Sequence, residues 1–287
     1  MFVDDLKGKR VNDAAAIGGF FRHIRSCNNA RLPGERLPFR LGEAPVGWVK
    51  PGLAMALAGI PNLTADAAGV TLNDPAALAS IARTLSERGL CRWRNEVFDV
   101  RANPDGPVLA QIDRGAIPSF GMFAVGVHLN GLVERPDGLH VWIARRSANK
   151  TLDPGKLDHI TAGGVPAGLT PDETLVKEAE EEAAIPASLA SRARHVGTLA
   201  YTLERQEGLR RDFVYCYDLD LPPDFVPQAV DGEVEAFELW PVAEVMASVR
   251  DGDAFKFNVN LVLIDMFLRH GLIESAALRA ALDAGRV

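Results

Sequence analysis

The chain has 287 residues, which is long for one ordinary domain and short for three, so we expect a catalytic domain with a smaller partner. Its composition, with 47% hydrophobic and 24% charged residues, is that of a soluble globular protein and excludes large-scale disorder. The formal net charge of -7 disfavours a general nucleic-acid or anionic-membrane surface, because such surfaces depend on excess Lys and Arg. We therefore expect no nucleic acid and no membrane as a partner.

The cysteines and the first ten residues of the chain indicate in which cellular compartment the protein is expected. Cys27, Cys91 and Cys216 are odd in number and far apart, which fits a reducing compartment and neither a disulfide framework nor a zinc site. The start, MFVDDLKGKR, carries acids where a signal peptide needs basic residues, and no segment reaches the ~20 apolar residues of a membrane span. These features predict a cytoplasmic protein. The oligomeric state stays open, with a homodimer as one expectation.

The first part of the chain, residues 1–115, has the pattern of a smaller α+β domain. Apolar residues at helical spacing in residues 4–30 predict a helical hairpin or one long helix. Residues 47–61 indicate a short strand and a turn, and residues 74–89 a helix. Residues 93–114 alternate as in a β-hairpin.

The second part, residues 116–287, changes to strands separated by glycines, and we place a domain boundary at this change. Period-two alternation and turn residues predict five strand segments, the fourth of them a long hairpin. These segments cover residues 121–133, 138–147, 157–164, 195–221 and 235–241. Three helices are predicted over residues 171–184, 241–252 and 258–272.

The most informative segment is AGGVPAGLTPDETLVKEAEEEAAIP, residues 162–186. Thr170, Pro171 and Glu173 form a helix start signal with a capping box. At roughly 100° per residue, one arc of this helix is apolar and should face a sheet. That arc consists of Leu175, Val176, Ala179 and Ala183.

Three glutamates, Glu178, Glu181 and Glu182, share the neighbouring arc of this helix. Clustered carboxylates repel each other by a few tenths of a kcal/mol per exposed pair, so a nearby cation is expected to offset the cost. Mg²⁺ or Mn²⁺ is the natural candidate, because hard cations take oxygen ligands. Taken alone, AEEEA also fits a solvated acidic face. The adjacent apolar arc and the preceding glycine-rich turn favour the metal.

This segment resembles the Nudix box, whose pattern is G(x5)E(x7)REUxEExGU with U an aliphatic residue. KEAEEEAAI, residues 177–185, matches its second half with Lys177 for Arg and Ala184 for Gly. Alignment backwards from the helix assigns the loop glycine to Gly168 and the loop glutamate position to Leu169. The usual loop carboxylate is therefore missing. Glu173 is a candidate to supply part of its support, with capping alone as the alternative.

Wider stretches narrow the resemblance. Residues 112–131, 144–164 and 257–272 look like Nudix proteins related to the N-terminal part of fungal thiamine pyrophosphokinases. The N-terminal unit resembles the uncharacterised domain that precedes Nudix in those proteins, so the resemblance covers nearly the whole chain. It implies an α+β protein in which a Nudix α/β/α sandwich with a mixed sheet follows a smaller α+β domain.

The resemblance also implies site residues. Glu178, Glu181 and Glu182 would hold Mg²⁺ or Mn²⁺, with a backbone carbonyl near Gly163 completing the shell. Basic residues near the glycine turn are candidates to bind the phosphates of the substrate. These candidates are Arg145, Arg146, Lys150, Lys156 and Arg211.

Two groups of residues are candidates for the general base. Glu182 is one, and the acids before a late strand, Glu233 and Glu235, are the other. We assign catalytic roles to Glu178, Glu182 and Glu235. His159 stands where the related proteins suggest Asn, and its role stays open.

The implied function is metal-dependent hydrolysis of a diphosphate linkage in a small molecule such as thiamine diphosphate or its damaged derivatives. A first alternative is a nucleoside diphosphate-linked compound, such as an ADP-sugar or a dinucleotide. A second is a noncatalytic Nudix-like ligand sensor. Retention of the three helix glutamates counts against the sensor, because a sensor need not keep a metal cage.

Overall fold

The structure is a computed structural model and describes residues 14–286, so predictions for residues 1–13 lie outside it. The described part of the predicted N-terminal helix is α1, Ala14–Cys27. Among the described residues, no helix combines the length and the apolar character needed to cross a membrane.

The region after α1 is a small α+β unit. A four-stranded sheet has the order β2-β1-β4-β3, and a separate antiparallel hairpin joins β5 and β6. The elements are β1 Leu37–Leu41, β2 Ala44–Val49, α2 Pro51–Leu57, β3 Leu63–Asp66, β4 Gly69–Leu72, α3 Leu78–Glu87, β5 Val97–Val100, β6 Ala110–Asp113 and α4 Ile117–Phe120.

Most predictions for this unit are confirmed, with one exception. The β5–β6 hairpin and helix α3 occur where they were expected, and Asp74 caps the short turn before α3 by accepting a hydrogen bond from the Ala76 N–H. The turn predicted within residues 47–61 is wrong, because α2 occupies it. Pro51 starts this helix, where its missing N–H costs nothing, and Leu53 and Leu57 bury the same face one turn apart.

The second part of the chain forms a seven-stranded mixed sheet. Its main path is β11-β12-β7-β8-β13, with β10 on β7 and β9 on β8. Only the β12–β7 pair is parallel among the described strands of this sheet. The elements are β7 Phe123–Arg135, β8 Gly138–Arg146, β9 Leu157–His159, β10 Thr161–Gly164, α5 Pro171–Ala183, α6 Ala187–Ala190, β11 Arg194–Arg205, β12 Gly208–Asp220, β13 Val234–Pro241, α7 Val242–Asp251, α8 Val259–Arg269 and α9 Ala276–Asp283.

Helices cover both faces of this sheet. Successive side chains of a strand point to opposite faces, and Val127 and Leu129 of β7 pack with Leu175 of α5 on one face. On the other face, Val214 of β12 joins the apolar residues of α1, α7 and α8. Every residue from Val259 to Phe267 in α8 is buried, so that helix lies inside this second layer. The predicted α/β/α sandwich with a mixed sheet is confirmed, as is the preceding α+β region.

Helix α4, which follows the small α+β unit, packs tightly on the start of β12. A Cβ atom at Gly208 would lie 2.3 Å from the carbonyl oxygen of Pro118 in α4, and the φ angle of Gly208 is 132°. Both the contact and the backbone conformation therefore require glycine. The close approach fixes the N-terminal region against the strand that carries Arg210 and Asp212.

A buried carboxylate ties the far end of the sheet to α8. Asp218 is 1% exposed and accepts hydrogen bonds from Arg269 at 2.6 Å and from Asn130 at 2.8 Å. Burial alone would raise the pKa of Asp218, but hydrogen bonds from His270, Arg269 and Asn130 outweigh it and hold the pKa well below its usual range. The ionised form is therefore the stabilising one.

Replacing this carboxylate gives a testable pH dependence. Asp218→Asn is expected to lower the free energy of unfolding by about 2 kcal/mol near neutral pH, because it removes one of the two carboxylates that Arg269 meets and leaves that guanidinium to Asp265 alone. A depressed native pKa stabilises the fold above the unfolded-state value of about 3.9, and this stabilisation is lost as the pH falls through the native pKa. Urea unfolding should therefore show a smaller difference from the wild type at about pH 3 than at about pH 7.

The control for this test is Asp220→Asn on the same strand. Asp220 pairs with Arg194, but its side chain is 67% exposed, so the change should cost less than about 1 kcal/mol. An equal effect of Asp218→Asn at both pH values would contradict the role given to its charge.

Candidate active site

Helix α5 begins as its sequence predicts. The Thr170 hydroxyl accepts a hydrogen bond from the Glu173 N–H at 3.2 Å, and the Glu173 carboxylate accepts from the Thr170 N–H at 2.9 Å. This capping box satisfies two donors that a helix start leaves free. Glu173 is exposed and engaged in the cap, so the structure does not bring it to the cleft described below.

The apolar arc of α5 sets the direction of its glutamates. Leu175, Ala179 and Ala183 are buried against the sheet. The side chain of Glu182, on the adjacent arc of α5, therefore contacts strand β10. Glu182 is 6% exposed and accepts a hydrogen bond from the Ala162 N–H at 2.9 Å. Burial raises the pKa of this carboxyl to about 8, and the nearby Glu178 adds to the rise. A buried carboxylate with so little compensation indicates that a cation belongs beside it.

Gly163 on β10 makes room for a second glutamate. A Cβ atom at Gly163 would lie 2.5 Å from the carboxyl carbon of Glu178, so any side chain there would displace the carboxylate. The assignment of the pattern's glycine to Gly168 is wrong. Counting G(x5)E(x7)R back from Lys177 leads through Leu169 to Gly163, and the contact with Glu178 explains why a glycine is needed there.

The third glutamate lies further out on the helix. Glu181 is exposed and forms an ion pair with Lys177 at 2.5 Å. Glu178 and Glu181 line a cleft of about 560 Å³, and Glu182 adjoins it from behind. All three predicted ligands therefore lie at this edge of the cleft, although their carboxylate oxygens are not all within 4.8 Å of one another.

Two further acids approach from the loop before β13. Ligand oxygens of Glu182, Asp231 and Glu233 lie within 4.8 Å of one another, and the latter two line the cleft. Glu235 does not line the cleft, and its carboxylate accepts a hydrogen bond from the Ala148 N–H at 2.8 Å. The pairing of β13 with β8 is irregular at this residue, so the structure places Glu233 at the site in place of Glu235.

Comparisons with known proteins decide the family. Residues 125–259 match the family described as NUDIX domain, and residues 19–124 match a domain of unknown function (DUF4743). The chain is 38% identical to Nudix hydrolase 20, chloroplastic, of Arabidopsis thaliana, over 93% of this chain and 77% of that protein. It is 39% identical to Nudix hydrolase 24, chloroplastic, of the same plant, over 96% and 79%.

The chain belongs to the Nudix hydrolase family. It is therefore an enzyme that hydrolyses diphosphate linkages, and the alternative of a noncatalytic sensor is wrong. Among solved structures, DR0079 from Deinococcus radiodurans is 23% identical, with 58% of this chain and 97% of that chain covered and a TM-score of 0.44.

The predicted cytoplasmic location is wrong by these comparisons, because both plant relatives are named chloroplastic. The prediction rested partly on three cysteines that form no disulfide. Thiols outside disulfides indicate a reducing environment, and several compartments provide one, so they do not distinguish the cytoplasm from the others.

The predicted basic residues of this Nudix hydrolase divide between different sites. Arg146 lines the cleft, where it is bound to Asp158 at 2.6 Å, and Lys150 lines it as well. Arg145, the residue before Arg146 in β8, points to the other face of the sheet, where it pairs with Glu238 at 3.4 Å. Arg145 therefore does not reach the cleft.

Two other predicted basic residues also lie elsewhere. Lys156 is half-buried outside the cleft, in the turn before β9. Arg211 lines a second pocket on the opposite face of the sheet, with its guanidinium 3.6 Å from the centre of the Phe123 ring. Its neighbours along β12, Arg210 and Asp212, line the cleft, because strand side chains alternate between faces.

Basic residues that sequence reasoning missed also line the cleft. Three come from the N-terminal region, and two come from β12 and the loop before α8. They are Arg92, Arg94, Arg114, Arg210 and Lys256. The alternation Arg92-Trp93-Arg94 was the one local signal, and nothing in the sequence shows that it faces residues some 85 positions later.

Most basic side chains of the cleft already have acidic partners. The pairs are Arg146 and Lys256 with Asp158, Lys150 with Glu233, Lys177 with Glu181, Arg210 with Asp212, and Arg114 with Glu96. These pairs balance most of the positive charge within the protein itself. Few basic side chains of the cleft therefore remain available to bind an anionic ligand.

His159 lies beneath the cleft and does not open into it. Its Nδ1 atom is 2.8 Å from Nδ1 of His128, and both rings are buried. Burial is the main cause that lowers the pKa of His159 to about 4. These two histidines and Asp158 could group around a metal, but Asp158 is engaged by Arg146 and Lys256, so the group is a structural network.

The residues around Glu178 fit a hard divalent cation. Nudix hydrolases generally use metals such as Mg²⁺ or Mn²⁺, which take oxygen ligands. The chain offers the carboxylates of Glu178, Glu181 and Glu182, and Gly163 keeps clear the space that one of them occupies. Asp231 and Glu233 supply two further acids beside Glu182, and Leu169 occupies the position of the usual loop glutamate.

Proposed function

We propose that this Nudix hydrolase cleaves the diphosphate linkage of a small molecule with Mg²⁺ or Mn²⁺ held by Glu178, Glu181 and Glu182, together with the carbonyl of Gly163. One observation carries the proposal. Glu182 is a buried carboxylate beside Glu178 at the edge of a charged cleft, where one divalent cation would compensate both.

The protein residues divide the remaining work. When bound, the cation supplies charge neutralisation for the phosphate oxygens and lowers the pKa of the attacking water. The Ala162 N–H fixes one oxygen of Glu182, so this carboxylate is oriented to accept the proton of that water. Lys150 pairs with Glu233 and holds it close to Glu182. Arg210 is locked to Asp212 and shapes the cleft floor.

We assign the substrate to the nucleoside diphosphate-linked compounds. A cleft of about 560 Å³ lies within the usual range for small-molecule sites. Arg92 and Arg94 line it and have no acidic partner among residues 14–286, which favours a ligand that carries only negative charge near them. The resemblance to proteins related to thiamine pyrophosphokinases supports thiamine diphosphate as the second candidate. The thiazolium ring of thiamine diphosphate is cationic, and placing this positive charge near the two guanidinium groups would cost free energy.

A substrate panel tests this proposal. Purified protein is incubated with ADP-ribose, a dinucleotide and thiamine diphosphate, each with Mg²⁺ or Mn²⁺ and each with a chelator. Release of monophosphate products from ADP-ribose or the dinucleotide is expected only with metal. Preferential hydrolysis of thiamine diphosphate would reverse the substrate assignment, and no metal-dependent hydrolysis of any compound would overturn the proposed function.

A further inference from the structure

Two arginines of the N-terminal region have no acidic partner in the described part of the chain. Within residues 14–286, the side chains of Arg92 and Arg94 form neither an ion pair nor a hydrogen bond, whereas the other basic residues of the cleft are paired as described above. Solvent reaches both side chains, so ordinary surface arginines are the plain alternative. Their position decides against it, because both line the cleft that holds the glutamates of α5.

The arginines are also crowded by like charge. Partial burial is the largest cause that lowers the pKa of Arg94, and the neighbouring charges of Arg114 and Arg92 lower it further. Such a cluster costs free energy unless an anion compensates it. Glu96 is the nearest acid, and it is already bound to Arg114 at 2.7 Å.

The cluster is held rigidly opposite α5. The guanidinium of Arg114 lies over the Phe98 ring, 5.5 Å from its centre. Phe98 in turn packs on Gly164 of β10, where a Cβ atom would be 2.5 Å from the ring. Burial raises the pKa of Glu178, and the charge of Arg114 is close enough to oppose part of that rise. The N-terminal region thus places guanidinium groups across the cleft from the carboxylates.

We propose that Arg92 and Arg94 form a phosphate subsite that grips the substrate's diphosphate from the side opposite the metal ligands. The N-terminal region is then half of the active site, and the residues that match a domain of unknown function bind substrate. Guanidinium groups suit this role because they form paired hydrogen bonds with phosphate oxygens. The inference rests on the proposed function for the identity of the anion.

The test is the double variant Arg92→Gln/Arg94→Gln. Each charged hydrogen bond to phosphate contributes about 1.5–3 kcal/mol, so loss of both should raise KM by about 100-fold or more while kcat changes by less than about 3-fold. Inorganic pyrophosphate, titrated into metal-free protein in a calorimeter, should bind the wild type and lose affinity by a similar factor in the variant. Arg94→Lys, which keeps the charge, should recover part of that affinity.

Arg88→Gln is the matched control, because Arg88 is an exposed arginine of the same region that does not line the cleft. It should leave KM and pyrophosphate affinity unchanged. Thermal melting checks the fold, and the single variant Arg92→Gln replaces the double variant if the latter melts early. Unchanged KM and pyrophosphate affinity in the arginine variants overturn the subsite. If the wild type hydrolyses no diphosphate but pyrophosphate binding still depends on Arg92 and Arg94, the proposed function fails and the subsite stands.

Discussion

Replacing Glu182 with glutamine is expected to reduce kcat/KM for diphosphate hydrolysis by about 10²–10⁴-fold, because the variant loses both a metal ligand and the proton acceptor. The fold should be retained. Glutamine has the shape of glutamate, and its amide oxygen can still accept the hydrogen bond from Ala162.

The same substitution is expected to stabilise the metal-free protein. In the wild type, burial raises the pKa of Glu182 to about 8, so keeping the side chain ionised in the fold costs free energy. Because its native pKa is raised, the contribution of Glu182 to stability is fully present below the unfolded-state pKa of about 4.3. This contribution is lost as the pH rises towards about 8. Glu182→Gln removes this cost, and near pH 8 in a chelator the variant should gain about 2 kcal/mol in free energy of unfolding.

Glu180→Gln is the control for both measurements. Glu180 is on the same helix and exposed, and it does not line the cleft. Its replacement should change neither activity nor stability by a measurable amount. Turnover at the wild-type rate in Glu182→Gln would contradict the proposed role of Glu182 in catalysis, whatever the effect of the substitution on stability.

Gly163→Ala is the second substitution with a large expected effect. The new Cβ atom would overlap the Glu178 carboxyl carbon, at 2.5 Å, and would push the carboxylate away from the cleft edge. We expect about a 10²-fold loss of kcat/KM and a clear loss of Mn²⁺ affinity, because displacement by about 1 Å is enough to disrupt a catalytic constellation. Stability should change little, since the atoms that must move are the end of a flexible side chain.

Gly52→Ala provides the comparison for this substitution. Gly52 is an exposed residue of α2, and a Cβ atom there meets nothing within 4 Å, so alanine should be neutral or slightly stabilising. Activity and Mn²⁺ affinity are measured together with thermal melting for both variants. Full activity in Gly163→Ala would show that the position of Glu178 does not matter for turnover.

Helix α5 was predictable because its signals are local. The capping box of Thr170 and Glu173 and the apolar arc depend only on residues within a few turns of one another. Once Leu175 and Ala179 face the sheet, the direction of Glu182 follows from helical geometry. The family pattern added the chemistry, and the structure supplied the contact that makes Gly163 necessary.

The phosphate-binding residues were less predictable, because their placement depends on strand parity and on distant packing. Arg145 and Arg146 are adjacent, yet only Arg146 lines the cleft. Arg211 similarly lies across the sheet from Arg210. Arg94 reaches the site through the packing of the N-terminal region on the sheet, which no local pattern encodes.

We propose that the glutamates of α5 hold one divalent cation together, and titration of Mn²⁺ into chelator-treated protein measures this binding. The wild type and Glu180→Gln should show saturable binding by calorimetry, and the double variant Glu178→Gln/Glu182→Gln should lose most of that affinity while melting as a folded protein. Equal Mn²⁺ affinity in the double variant and the wild type would show that these glutamates do not bind the metal.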